Sequence, residues 1–299
     1  MAKYDAMGDK VQRRVPVAVW IMLAGFVIAA IGLVWCLNTD LKKYAKTENL
    51  GTVQALEDIK DLELTFDAAT TSITKSTDDK IHVTIDNAPK DVYSIGKKDG
   101  KFYIKTDNFS SFIKWSGIKD IPFLKDVYPH AKITVELPDA AFEKVKIENG
   151  GGDLSINGIS CTDLEIDNGV GELTISNCTA KETDIDNGVG KVEAKNCNFG
   201  KTQIDNGIGE TDIKDCQLGK SEIDNGIGET NIDSEIKGDI DVDNGIGDIN
   251  LKVKGSAGDY SFKGDDDGIK IIGKIDSGDA KYKIDLDNGI GDITIEFVS

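Results

Sequence analysis

Asp167-Asn168-Gly169-Val170-Gly171-Glu172-Leu173-Thr174-Ile175-Ser176-Asn177-Cys178-Thr179-Ala180-Lys181-Glu182-Thr183-Asp184-Ile185 is one turn of a pattern that begins again at Asp186-Asn187-Gly188. The Asn-Gly pair stands at Asn149, Asn168, Asn187, Asn206, Asn225 and Asn244, each 19 residues after the last. A seventh copy, Asp287-Asn288-Gly289-Ile290-Gly291, follows after 44, about two longer units. A fixed period of this kind marks a solenoid, whose units bury their apolar faces only against their neighbours. Within the unit, Leu173 and Ile175 alternate with polar residues and Ile185 closes a second alternating run. That is the pattern of half-buried strands, and no stretch has the length or spacing of a helix. Down the units the apolar residues form columns: Leu154, Leu173, Val192; Ile156, Ile175, Ala194, Ile213, Ile232, Leu251; Ile166, Ile185, Ile204, Ile223, Val242. A slip of one residue would turn each column outward, so the constant period keeps them in. The expected fold is all-β, a single-stranded parallel β-solenoid of about 19 residues per coil, advancing ~4.8 Å per coil. The Asn-Gly pairs are expected to supply the positive-φ residues of a tight corner. Stacked one per coil, Asn149, Asn168, Asn187, Asn206, Asn225 and Asn244 are also expected to form a side-chain ladder.

Upstream of the repeat the sequence changes character. Val15–Leu37 is 23 residues without a charge, with Trp20 and Trp35 towards its two ends. As a helix it would reach ~34 Å and cross a bilayer, its aromatics at the interfaces. It is too long for a signal-peptide core and has no small-residue cleavage site. The expectation is one N-terminal transmembrane helix that anchors the chain in the cell membrane as a single-pass protein. Lys3, Lys10, Arg13 and Arg14 precede it, against Lys42, Lys43 and Lys46 after it. The positive-inside rule then puts the N-terminus in the cytoplasm and the large domain in an extracytoplasmic position. The organisation reads as tail 1–14, transmembrane helix 15–37, linker 38–60, N-terminal β region and cap 61–147, and repeats 148–299. Leu62–Phe66, Ile81–Ile85, Phe102–Lys105 and Ile133–Leu137 read as strands of the cap. The other end stops at Phe297-Val298-Ser299 with no polar cap. An exposed terminal coil there is the expected contact for a homo-oligomer.

Charge narrows the partners. The chain has 53 Asp+Glu against 35 Lys+Arg, a formal net charge of −18, which excludes nucleic acid on electrostatic grounds. The acid is patterned: Asp167, Asp186, Asp205, Asp224 and Asp243 occupy one position in successive coils, after Glu148. Glu165, Asp184, Glu222 and Asp241 stand two residues before them, with Gln203 interrupting. Two readings apply to the first column. Its carboxylates accept corner backbone N–H groups, or they hold divalent cations loosely, with Ca²⁺ the cofactor such oxygen ligands suit. Asp239–Gly245 departs from an EF-hand loop, since Asn244 stands where that loop needs Gly and Asn250 where it needs Glu.

Cys178, Cys197 and Cys216 share a coil position and Cys161 is out of register. They read as buried thiols, with a disulfide between neighbouring coils or a soft-metal ladder as the other options. Phe109, Phe112, Trp115 and Phe123 mark the one aromatic-rich stretch outside the anchor, read as a flap over the solenoid or as a contact patch. His82 and His130 lie far apart, which disfavours a His-based zinc site. A carbohydrate-active enzyme on a β-helix scaffold is the alternative function. It would need two carboxylates set apart from the rest, whereas these are spread evenly, and residues 148–250 hold one aromatic, Phe199, to serve a sugar. No catalytic residue is assigned.

Ile133-Thr134-Val135-Glu136-Leu137-Pro138, then Lys144-Val145-Lys146-Ile147-Glu148-Asn149-Gly150-Gly151-Gly152-Asp153-Leu154, then the Asp-Asn-Gly-x-Gly units, resemble the bacterial β-strand repeat family called "putative adhesin", a domain of unknown function. The resemblance covers about residues 58–299. It implies a β-repeat fold, often tethered to the envelope by one membrane segment, and transfers no catalytic residue. The expected function is that of a non-enzymatic, membrane-tethered extracytoplasmic β-solenoid, a structural, adhesive or envelope-sensing interaction module. Its acidic face would meet cell-envelope or cationic partners.

Overall fold

Alternation of side chains is what the backbone obeys. In one coil, strand Ser160–Val170 turns Leu164, Ile166 and Asn168 inward and strand Leu173–Ser176 turns Leu173 and Ile175 inward, all buried. The computed structural model describes residues 47–55, 58–89, 92–106, 131–264, 269–272 and 280–298. The chain divides into two compact units, 1–44 and 45–299, and the described residues all lie in the second. The expected anchor Val15–Leu37 and the aromatic stretch 109–124 lie outside the described residues. Among those described, no helix is long and apolar enough to cross a membrane, and 22 strands join in one sheet.

Two parallel stacks run through the repeat. One holds the Asp-Asn-Gly strands from Ala141–Gly151 through Ser160–Val170, Thr179–Val189, Asn198–Ile208, Ser221–Ile227 and Ile240–Ile246 to Tyr282–Ile290. The other runs from Leu154–Asn157 to Ile293–Val298. Partners are 19 residues apart, as in Ile166↔Ile185↔Ile204↔Ile223↔Val242, so the columns read from the sequence are the core. One bulge interrupts them. After Lys214 the offset drops to 18 (Gln217↔Glu235), and the Cys216 N–H donates to the Ser234 hydroxyl at 3.2 Å. The thiol column ends there.

The ends depart from simple coiling. Strand Tyr282–Ile290 pairs with Ile240–Ile246 on one side and with Tyr260–Gly264 on the other. Ile293–Val298 likewise lies between Ile249–Lys254 and Ile269–Ile272. The chain thus lays down an outer level first and returns to fill the place inside it. The reason is chemical: residues 284–298 carry the Asp-Asn-Gly motif and stack on the repeat, whereas residues 255–281 hold no Asn-Gly pair. The strand ending at Val298 is therefore no exposed terminal coil, contrary to expectation. Tyr260 and Phe297 (ring centroids 5.6 Å apart) and Phe262 edge-on to Phe297 (5.8 Å) close this end. The buried Tyr260 hydroxyl donates to the Ile236 carbonyl at 2.7 Å.

The other end is built the same way. Strand Asp61–Lys75 pairs with Ala141–Gly151 and Leu154–Asn157 on one side, and with Lys101–Thr106 and Ala131–Leu137 on the other. Antiparallel strands Lys80–Pro89 and Tyr93–Lys98 follow outside it, and Thr47–Ala55 pairs antiparallel with Lys80–Pro89. That last strand falls within the stretch 38–60 read as a linker. Its Val53 is 58% exposed and none of residues 49–55 is buried, so backbone pairing holds it.

Candidate functional site

Each Asp-Asn-Gly strand places its Asn side chain inside and its Asp side chain outside. The amide of Asn149 donates through Nδ2 to Asn168 Oδ1, and the relay continues through Asn187, Asn206, Asn225 and Asn244 to Asn288. The six bonds measure 2.7, 2.6, 2.7, 3.1, 2.9 and 3.0 Å. The second N–H of Asn149, Asn168 and Asn187 donates to the carbonyl three residues on, that of Gly152, Gly171 and Gly190. All bonds point one way, so the ladder is left with one unpartnered atom at each end, Asn149 Oδ1 and Asn288 Nδ2. Phe66 stands opposite Asn149 and closes the first end with a ring.

The ladder asparagines do not supply the positive-φ residues, contrary to expectation. They are extended, because an inward amide needs a strand backbone. The left-handed conformations fall on the second glycine of each motif, such as Gly190 (φ 139°), and at the opposite corner on Asn177, Asn196 and Asp215.

Outside the ladder, Asp167, Asp186, Asp205, Asp224, Asp243 and Asp287 stand in register, after Glu148. With the asparagines and first glycines they line an open trough of about 1000 Å³ that ends at Thr65 and Phe66. Glu165, Asp184, Gln203, Glu222, Asp241 and Asp285 form the parallel row. Among the described residues the ion pairs of this row are confined to its ends. Lys144 reaches Glu165 at 2.5 Å and Lys146 also pairs with it, while Lys283 reaches Asp285 at 2.5 Å and Lys263 at 3.2 Å. Between them, among the described residues, no ion pair reaches Asp184, Asp186, Asp205, Glu222, Asp224, Asp241 or Asp243. The electrostatics follow. Partial burial, then the neighbouring carboxylates, raises the pKa of Asp184, Asp186, Asp224 and Asp243 above the ordinary aspartate value. Lys283 and Lys263 lower that of Asp285.

The direction is the same at four positions of the two rows. Among the described residues no three His, Cys, Asp or Glu side chains gather in metal-holding geometry; each level offers one carboxylate from the Asp column. Cys161, Cys178, Cys197 and Cys216 are free, buried thiols. Burial first pushes Cys161 up to about 12, and the flanking thiols of Cys178 and Cys216 hold Cys197 in its protonated form.

One feature escaped the sequence reading. The residue between the two glycines of each motif is Val170, Val189, Ile208, Ile227, Ile246 or Ile290, and all six point outward, at 57, 43, 50, 48, 47 and 67% exposure. They stand in register, one per level. The signal was present in the sequence, since that position is β-branched aliphatic in all six copies from 168 on.

Fold and site together define a parallel β-solenoid that displays rows of one side-chain type along its axis. The Toastrack DUF4097 family model matches residues 59–296, and the chain belongs to that family, as the segments between Ile133 and Leu154 led one to expect. The chain is similar to the crystal structure of a "putative adhesin" from Bacteroides fragilis, with 14% identity over 85% of this chain and 99% of that one, TM-score 0.47. It is also similar to one from Parabacteroides merdae, with 11% identity over 84% and 97%, TM-score 0.39. A "putative lipid binding protein" from Parabacteroides distasonis gives 13% identity over 83% and 96%, TM-score 0.32. No curated protein matches the chain.

Proposed function

We propose that the chain is a non-enzymatic interaction module of the cell envelope. Val15–Leu37 tethers it to the membrane by a single pass, and the solenoid stands on the extracytoplasmic side as an adhesive or sensing surface. The observation that carries this reading is the uniformity of the display. Carboxylates and aliphatic side chains recur level after level on a scaffold held by continuous backbone pairing, which suits an extended contact. Catalysis would instead set a few groups apart by geometry and pKa. The carboxylate rows, ion-paired at their ends but not, among the described residues, between them, favour cationic partners and repel anionic polymers.

The test is topological. Asp5→Cys and Val189→Cys, each in the full chain, are exposed to a membrane-impermeant maleimide on intact cells. The reading expects label at position 189 without permeabilisation and at position 5 only after it. Label at position 5 on intact cells, with position 189 silent, would reverse the orientation and remove the envelope role.

A further inference from the structure

The aliphatic ridge has a setting that specifies its partner. On one side lies the trough with its Asp column. On the other, two residues after each ridge residue, a second row runs Glu172, Lys191, Glu210, Glu229, Asp248 and Asp292, stacked through backbone bonds such as Val192 N–H to the Glu210 carbonyl at 2.9 Å. Five of its six members are acids, and the one cation, Lys191, is paired with Glu210 and Asp212 at 3.3 and 2.5 Å. The ridge is thus an apolar line between two acidic lines. The first glycine of each motif keeps it clear: a Cβ at Gly188 would stand 2.6 Å from the Gly169 carbonyl oxygen, and one at Gly207 the same distance from that of Gly188.

We infer that this ridge is the docking site of a cationic amphipathic helix, whose apolar stripe lies along Val170 to Ile290 and whose flanking Lys and Arg side chains face the two carboxylate rows. The inference rests on the reading of the chain as an interaction module, and deepens it by naming the partner's chemistry. Dimensions agree. Five steps of ~4.8 Å make the ridge ~24 Å long, the length of about 16 helical residues. A helix brings a residue back to the same face about every 5.4 Å, close to the level spacing. A strand lying along the ridge repeats about every 6.7 Å and falls out of step within two levels. Charge selects among occupants. A second copy packed ridge to ridge would set acidic rows on acidic rows, and an anionic bilayer surface would do the same. A helix with basic margins neutralises both rows while covering the aliphatic line.

The probe is a synthetic 16-residue peptide with a Leu stripe and Lys margins. It is titrated by fluorescence anisotropy against the full chain in phosphatidylcholine nanodiscs, with empty nanodiscs as reference. A scrambled peptide of the same composition, with no stripe, is the control. The expected results are binding at least tenfold tighter than the scrambled peptide, and at least tenfold weakening by the paired substitution Ile208→Ser/Ile227→Ser. A several-fold weakening by Asp205→Asn/Asp224→Asn is expected at 50 mM salt and disappears at 500 mM. Both ridge residues are half exposed, and circular dichroism checks that each variant keeps its strands. Equal binding of the scrambled peptide, or wild-type affinity in the Ile208→Ser/Ile227→Ser variant, would reduce the face to unspecific charge attraction and overturn the inference. A dimer mass that the same pair of substitutions abolishes would overturn it in favour of a second copy. Either failure leaves the surface-labelling result untouched, so the two readings fall separately.

Discussion

Asn187 sits between Asn168 and Asn206 in a file of amides that each give one hydrogen bond and take one. Removing it by Asn187→Ala leaves the Asn206 Oδ1 acceptor and the Gly190 carbonyl without that donor, and Asn168 Nδ2 without one acceptor. Buried orphans of this kind cost about 1–3 kcal/mol each, so a loss of about 3 kcal/mol is expected in urea unfolding. Asn149→Ala should cost roughly 1 kcal/mol less, because its Oδ1 has no partner to begin with. The Asp column carries the opposite sign. Asp224 titrates high in the folded state through burial and the charges of Asp205 and Asp243, so the native protein binds that proton more readily than the unfolded chain. Its contribution to stability is therefore full below the unfolded aspartate pKa of ~3.9 and is lost as pH rises through the folded value. Asp224→Asn should raise the melting temperature at pH 7 by about 1–2 °C, solvent screening keeping the effect small. The difference should vanish near pH 3. The period alone made the asparagines legible as a ladder and the aspartates as a row. Their backbone conformation was not, because an Asn-Gly pair is commonest in corners, whereas here a buried amide file holds it extended.

The glycines that follow the ridge limit what an element of this solenoid can be. Gly190 has φ 139°, and a Cβ there would stand 2.0 Å from the Gly171 carbonyl oxygen. Levels at strand spacing leave no room for either atom to move away. Gly190→Ala should therefore cost about 3 kcal/mol or more, combining backbone strain with displacement of the level below. Gly51→Ala, on the edge strand with its nearest neighbour at 3.9 Å, should be close to neutral; paired thermal melts of the two variants measure the contrast. At this scale the cap strands Leu62–Phe66, Ile81–Ile85, Phe102–Lys105 and Ile133–Leu137 all lie inside observed strands. They were readable because each buries alternate residues. Thr47–Ala55 was hidden because it buries almost none. The ridge was hidden for a different reason: a Val or Ile between two glycines reads as part of a corner, and its exposure is visible only once the levels are stacked.

For the whole solenoid, the order of levels in space differs from their order in sequence at both ends. Asp61–Lys75 lies inside Lys101–Thr106, and Tyr282–Ile290 lies inside Tyr260–Gly264. The sequence signalled the second case through its gap of 44 residues between Asn244 and Asn288, but a gap is equally compatible with two extra coils in series. What decides is that residues 255–281 contain no Asn-Gly pair to extend the ladder, so the last motif stacks directly on Asn244 at 3.0 Å. Stacking of motif on motif is what the trough, the acidic rows and the ridge all depend on. Engineered disulfides test it, since outward residues on adjacent levels come within bonding range and those two levels apart do not. The pairs Val189→Cys/Ile208→Cys and Ile246→Cys/Ile290→Cys should both cross-link under mild oxidation, the second across 44 residues of sequence, while Val189→Cys/Ile227→Cys should stay reduced. A 246/290 pair that stays reduced while 189/208 cross-links would show that the last motif does not rest on its counterpart, and would contradict this structure of the protein.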